Sequence, residues 1–195
     1  MHGAALRAVA KLPGGASLGI VDFGAGPATA LLALVESRPG RVEYMALEPA
    51  AGMQSVAAIA FATVGERLRL REVSSALNAD CFRTAQGMIL RCSYTVLVFS
   101  YFFAQRIDQA LVDEIVRFAE FCRRRGPVIV VYTNPIGPSA SWMPNEDIHF
   151  WYAQFCAQLE HRVRIAEAAY SYRIVANLDD EMERHGSCAY EVWTL

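Results

Sequence analysis

Hydrophobic residues along this chain fall into two alternating kinds of block. Short unbroken apolar runs occur at Leu18–Phe23 (LGIVDF), Glu43–Glu48 (EYMALE), Tyr94–Ser100 (YTVLVFS) and Val128–Tyr132 (VIVVY). Runs of this length suit strands that are buried on both faces of a parallel sheet. Leu68–Val73 (LRLREV) alternates apolar with charged residues, as an edge or half-exposed strand does. Helical stretches lie between the runs. Pro27–Ser37 opens on proline, which fits a first helical turn. Ala50–Val64 is alanine-rich. Asp108–Arg125 places Ala110, Leu111, Ile115, Phe118, Ala119 and Cys122 on one helical face. Its acids come early and Arg123, Arg124 and Arg125 come last, an order that complements the helix dipole. Asn145–His161 reads as a further helix after a loop rich in Pro, Gly and Ser. Ser74–Arg91 is harder to read, with room for a short helix. Tyr170–Asn177 and Ala189–Leu195 read as two closing strands. Strand and helix in repeated alternation predict an α/β fold with a mostly parallel sheet and helices on both faces. Such folds bind ligands at the carboxyl ends of the strands, near the turn after the first one. No repeat, low-complexity tract or linker interrupts the pattern, so residues 1–195 read as one domain.

Composition adds limits. The 195 residues are 54% hydrophobic and 19% charged, so the chain has either a large core or an apolar surface. A net charge of −2 gives no global basic field for nucleic acid. Of the 18 basic residues only Lys11 is lysine, which fits coding bias better than selection for phosphate contacts. No uncharged apolar stretch of about 18 residues occurs, so no membrane span is expected, and the start does not read as a signal peptide. Five cysteines without a CxxC pair predict free thiols in a reducing, cytoplasmic setting and no metal site.

The chemistry is concentrated after the first two strands. Gly24 and Gly26, in Val21-Asp22-Phe23-Gly24-Ala25-Gly26-Pro27-Ala28, let the backbone turn sharply and approach a ligand closely. The helix that follows offers unpaired N–H groups. Glu48 closes the second strand, 22 residues beyond Gly26. An acid at that spacing reaches the ribose hydroxyls of a nucleotide-like cofactor. The competing reading makes Glu48 a cap for the helix that starts near Ala50. A dinucleotide loop would place a glycine at position 29, where Thr29 stands, and this argues against a nicotinamide-dependent oxidoreductase.

With an acid two residues before the first glycine, Asp22-x-Gly24-x-Gly26 resembles the first motif of the class I S-adenosylmethionine-dependent methyltransferases, with Ala28 in place of their third glycine. Glu48 matches the acid that closes their second strand. The resemblance implies a three-layer sandwich around a seven-stranded, mostly parallel sheet. Its strand order would be 3-2-1-4-5-7-6, with an antiparallel C-terminal strand. It also implies S-adenosylmethionine as the cofactor. Gly24, Ala25 and Gly26 would pass under its methionine part, Asp22 would fix the loop or reach the amino group, and Glu48 would hold the ribose. Pro49 and Met53 would sit beside the adenine, with helix packing as the rival role for Met53. Ser74, Ser75 or Asn78 would follow the third strand where an acid or amide is usual. At the end of the fourth strand, Ser100 would face the cofactor, and Tyr101 and Phe102 the methyl group and acceptor, with core packing as the rival role for the Phe102-Phe103 pair. Trp142 and His149 would belong to a substrate loop after the fifth strand, and Phe150, Trp151 and Tyr152 to a substrate wall, a partner surface or plain packing. No catalytic base stands out. The short motifs are also similar to methyltransferase-like proteins of small-ribosomal-subunit assembly, whose cysteine cluster this chain lacks. Two functional readings follow: a methyltransferase whose acceptor is a small molecule, RNA or protein, or a cofactor-binding or partner-binding module without turnover. A homodimer or a partner protein is compatible with either.

Overall fold

The computed structural model describes residues 12, 15–37, 42–64, 68–74, 77–104, 107–136, 150–160, 162–175 and 183–195. Seven strands form one sheet: β1 (Leu18–Phe23), β2 (Val42–Leu47), β3 (Leu68–Ser74), β4 (Tyr94–Ser100), β5 (Val128–Ile136), β6 (Val163–Val175) and β7 (Glu183–Thr194). Their order across the sheet is β3-β2-β1-β4-β5-β7-β6, as expected from the sequence. The pairs from β3 to β5 are parallel. β7 runs antiparallel to both β5 and β6, so the sheet ends in a C-terminal hairpin. β6 and β7 begin well before the Tyr170 and Ala189 starts expected from the sequence. Interleaved charges such as Arg164 and Glu167 hid the first half of β6, but its backbone pairs with β7 from Val163 onward.

Five α-helices are described: α1 (Thr29–Ser37), α2 (Ala51–Val64), α3 (Ala79–Ile89), α4 (Gln109–Arg125) and α5 (Phe150–Gln158). The stretch that resisted reading holds α3, an eleven-residue helix. It starts there because Asn78 caps it: its side-chain oxygen accepts from the backbone N–H of Asp80 and of Cys81, both at 3.1 Å. Asp108 caps α4 in the same way, accepting from Leu111 N at 2.8 Å. Val112, Ile115, Phe118, Ala119 and Cys122 form the buried stripe of α4.

Strand residues alternate between two cores. Val21, Phe23, Leu97 and Phe99 face α3, α4 and α5, where Phe82, Phe103, Phe118, Phe155 and Trp193 build an aromatic core. Ile20, Tyr44, Val96 and Val98 face α1 and α2, where Ala28, Ala30, Ala57 and Ala60 keep the packing shallow. Helices cover both faces, so the predicted layering is present. Not all the apolar excess is buried: Met53, Val56 and Ile59 on α2 are exposed. Among the described residues no helix is long and apolar enough to cross a membrane.

Candidate functional site

Parallel register brings the ends of β1, β2 and β4 to one edge. Phe23 lies opposite Leu47 on one side and Phe99 on the other. The chain then turns at once: Gly24 N donates to Leu47 O at 2.8 Å, extending the ladder by one bond. Gly24 has φ +67° and Gly26 φ +52°, the left-handed region that glycine enters without a Cβ penalty. Among the described residues, a Cβ on Gly26 would meet no atom within 4 Å, so they leave open space above the loop. Gly26→Ala should therefore lower stability by about 1 kcal/mol through backbone strain alone, measurable by urea unfolding. Ala28 also has positive φ, +59°, with a buried side chain. The alanine that stands in place of a third glycine thus carries left-handed strain of about 1 kcal/mol.

Asp22 faces the α1/α2 side and is 1% exposed. The small Ala46 stands directly opposite it on β2. Tyr44, two residues earlier on the same face, reaches it along the diagonal, and its hydroxyl donates to Asp22 Oδ2 at 2.6 Å. Asp22 Oδ1 is buried without a hydrogen-bond partner among the described residues. Burial raises the carboxyl pKa, the Tyr44 bond lowers it and the Glu48 charge raises it, leaving it at about 7. The Tyr44 phenol is pushed well above its usual range, by burial first and then by the Asp22 charge. Sequence reasoning missed Tyr44, because only the register between β1 and β2 brings its hydroxyl to Asp22.

Glu48 is 7% exposed. Its Oε2 accepts from Gly26 N and its Oε1 from Ala50 N, both at 2.8 Å. It therefore ties the glycine loop to the start of α2. It does not cap that helix in the sense expected, because the amide it holds belongs to Ala50, the residue before the first turn. Each carboxylate oxygen can accept a second bond. Gln54 Nε2 donates to the Glu48 carbonyl at 2.6 Å and fixes the backbone there.

The other expected residues divide. Ala25 is buried in the turn, and Pro49 is exposed beside Glu48. Met53 is 47% exposed, so its side chain is not part of the core. Ser74 ends β3, Asn78 caps α3, and Ser75 lies outside the described residues. Ser100 continues the edge on β4, and its Oγ is buried without a hydrogen-bond partner among the described residues. Tyr101 follows with φ +61° and donates its N–H to Thr133 O at 2.8 Å, so β5 holds it in a conformation rare for an aromatic residue. Phe102 does not line a pocket. It is 5% exposed, packs against Phe23, Phe99 and Phe103, and lies 3.6 Å from where a Gly24 Cβ would be. Its role is to support the glycine turn from below. Phe103 is core as well. Tyr152 stacks on Tyr132 in the core, Trp151 packs partly against it, and Phe150 is exposed. Trp142 and His149 lie outside the described residues.

A groove of about 640 Å³ runs along the start of α4, lined by Leu77, Ile107, Asp108, Leu111, Asp113 and Glu114; no glycine-loop residue lines it. Burial pushes the Cys92 thiol up to about 11 and the Cys122 thiol up to about 12, so neither is a nucleophile at neutral pH. No group of metal-ligating side chains occurs among the described residues.

No family model matches the chain, and no curated protein matches it in sequence. By structure, 281 solved chains match it. Precorrin-6y C5,15-methyltransferase from Geobacter metallireducens is 11% identical with a TM-score of 0.54, over 98% of this chain and 85% of that one. The YcgJ protein of Bacillus subtilis is 11% identical with a TM-score of 0.53, over 100% and 97%. A candidate RNA methyltransferase from Pyrococcus horikoshii is 10% identical with a TM-score of 0.52, over 99% and 85%. At such identities the likeness is one of architecture: the chain has the fold of the class I S-adenosylmethionine-dependent methyltransferases.

Proposed function

We propose that this protein binds S-adenosylmethionine at the ends of β1, β2 and β4 and transfers its methyl group to an acceptor. The observation that carries this reading is the left-handed Gly24/Gly26 turn, open above Gly26 and flanked by two acids on adjoining strands. The open space admits a ligand against the backbone. The Glu48 lone pairs left free among the described residues suit a vicinal diol, and the Asp22 oxygen unpartnered among them suits a cationic group. When bound, the cofactor supplies an electrophilic methyl group on a sulfonium. The protein then has to position the acceptor in line and exclude water. Ser100 and the strained Tyr101, at the end of β4, are the residues we assign to the acceptor side. Calorimetric titration with S-adenosylmethionine and S-adenosylhomocysteine tests the reading, and absence of binding to either at millimolar concentration would sink it. Binding without methyl transfer to small-molecule, RNA or protein pools would instead identify a cofactor-binding module.

A further inference from the structure

Asp22 is placed unlike an acid that must stay ionised. Its carboxyl is closed into the end of a buried strand, between β2 and β4. It receives one donor, the Tyr44 hydroxyl from β2, and its second oxygen receives none among the described residues. The charged group acting on it is Glu48, after β2, and this is another carboxylate. On the β4 side, the register places uncharged Val98 opposite it and Ser100 two residues on, on the same face. The Ser100 hydroxyl is likewise buried and unpartnered among the described residues. No Lys or Arg among the described residues acts on Asp22. Among the described residues no positive charge stabilises the ionised form of this buried carboxyl, and burial favours the protonated form until such a charge arrives.

We propose that binding at the glycine loop is proton-linked: Asp22 holds a proton while no cationic ligand is bound, and releases it to solvent when a ligand ammonium or sulfonium docks beside it. The O–H bond of the carboxylic acid breaks, the electron pair stays on Asp22, and the incoming cation neutralises the charge. This rests on the cofactor reading above. It adds that the site selects ligands by positive charge, with an affinity set by pH. Linkage makes the effect reciprocal: a ligand that favours ionised Asp22 binds more weakly wherever ionisation is opposed. With the Asp22 carboxyl near 7, affinity should rise close to tenfold per pH unit between about pH 5 and 6 and level off above 7. In that window the amino group of the ligand stays protonated.

Calorimetry in two buffers of different ionisation enthalpy, with S-adenosylhomocysteine and with 5′-methylthioadenosine, tests this. S-adenosylhomocysteine carries the ammonium, whereas methylthioadenosine keeps the nucleoside and lacks every positive charge. The expected result is release of nearly one proton at pH 6 with the first ligand and none with the second. Asp22→Asn should abolish the release. As a check independent of that variant, carbon NMR of the Asp22 carboxyl in the wild-type chain should show it protonated at pH 5.5 alone and ionised with S-adenosylhomocysteine. Binding of S-adenosylhomocysteine with no proton release and flat affinity from pH 5 to 7 overturns the linkage and leaves the cofactor reading standing. Equal release with both ligands also overturns it. Absence of all binding removes the cofactor reading and the linkage together.

Discussion

Asp22→Asn is expected to make the folded protein more stable by about 2 kcal/mol at pH 7 while weakening the binding of a cationic ligand. The Asp22 carboxyl sits at about 7, up from 3.8, because burial outweighs the bond from Tyr44. A rise of about three units opposes folding by roughly 4 kcal/mol once the group must ionise. The neutral amide escapes that cost and still accepts the Tyr44 hydroxyl. It brings buried N–H donors without partners, which takes back roughly 1–3 kcal/mol. The pH dependence has a definite sign. In the unfolded chain Asp22 loses its proton near 3.8, whereas in the folded chain it keeps it to about 7. Its contribution to stability is therefore complete below about pH 4 and is lost as pH rises through 7. Urea unfolding from pH 4 to 8 should show that decline in the wild type and not in the variant. A variant less stable than the wild type at pH 8 would contradict the burial on which this rests. The destabilising residue is also the one assigned to the ligand, an arrangement common at binding sites.

The apolar runs that became β1 and β4 were legible to the residue because a strand buried on both faces leaves no room for polar interruption. The same rule hid the first half of β6. As the edge strand it tolerates Arg164 beside the exposed Val163 and Ile165, and the periodic signal dissolves. Helix α3 carries a regular apolar stripe, Cys81, Phe82, Ala85, Met88 and Ile89 at helical spacing with the polar residues on the other face; what the sequence left open was its start, which depends on a single cap, Asn78. At the site, residue types and spacing located Asp22, Gly24, Gly26 and Glu48, since each is set by local backbone geometry or by strand length. What they do to one another was not legible. The Tyr44–Asp22 bond depends on register between strands, and the Glu48 clamp depends on how far α2 starts from the loop. Phe102 misled because aromatic residues after a strand look alike whether they turn into the core or out of it. The Gly24 turn directly above Phe102 decides the matter in favour of the core.

Glu48 should behave in the opposite way to Asp22. Glu48→Ala removes the acceptor for two backbone N–H groups, those of Gly26 and Ala50. Bonds to a charged acceptor contribute roughly 1.5–3 kcal/mol each, and water can reach part of this site. A loss of about 3 kcal/mol is expected, together with loss of nucleoside binding. Glu48→Gln keeps one acceptor and sets an amide NH2 against an N–H, so a smaller loss of about 1–2 kcal/mol is expected. This second variant exposes the coupling between the two acids. The Glu48 charge raises the Asp22 pKa, so removing it should lower that pKa and end the pH-dependent decline in stability at a lower pH. At pH 8 Asp22 is ionised and the Glu48 charge repels it, and either substitution relieves the repulsion once. Glu48→Gln should then destabilise the wild type less than it destabilises Asp22→Asn, by about 1 kcal/mol. At pH 5 Asp22 is neutral in the folded chain, and the difference should vanish. A double-mutant cycle by urea unfolding at the two pH values reads this directly. A coupling of equal size at pH 5 and pH 8 would mean that the two acids communicate through the shape of the loop rather than through charge.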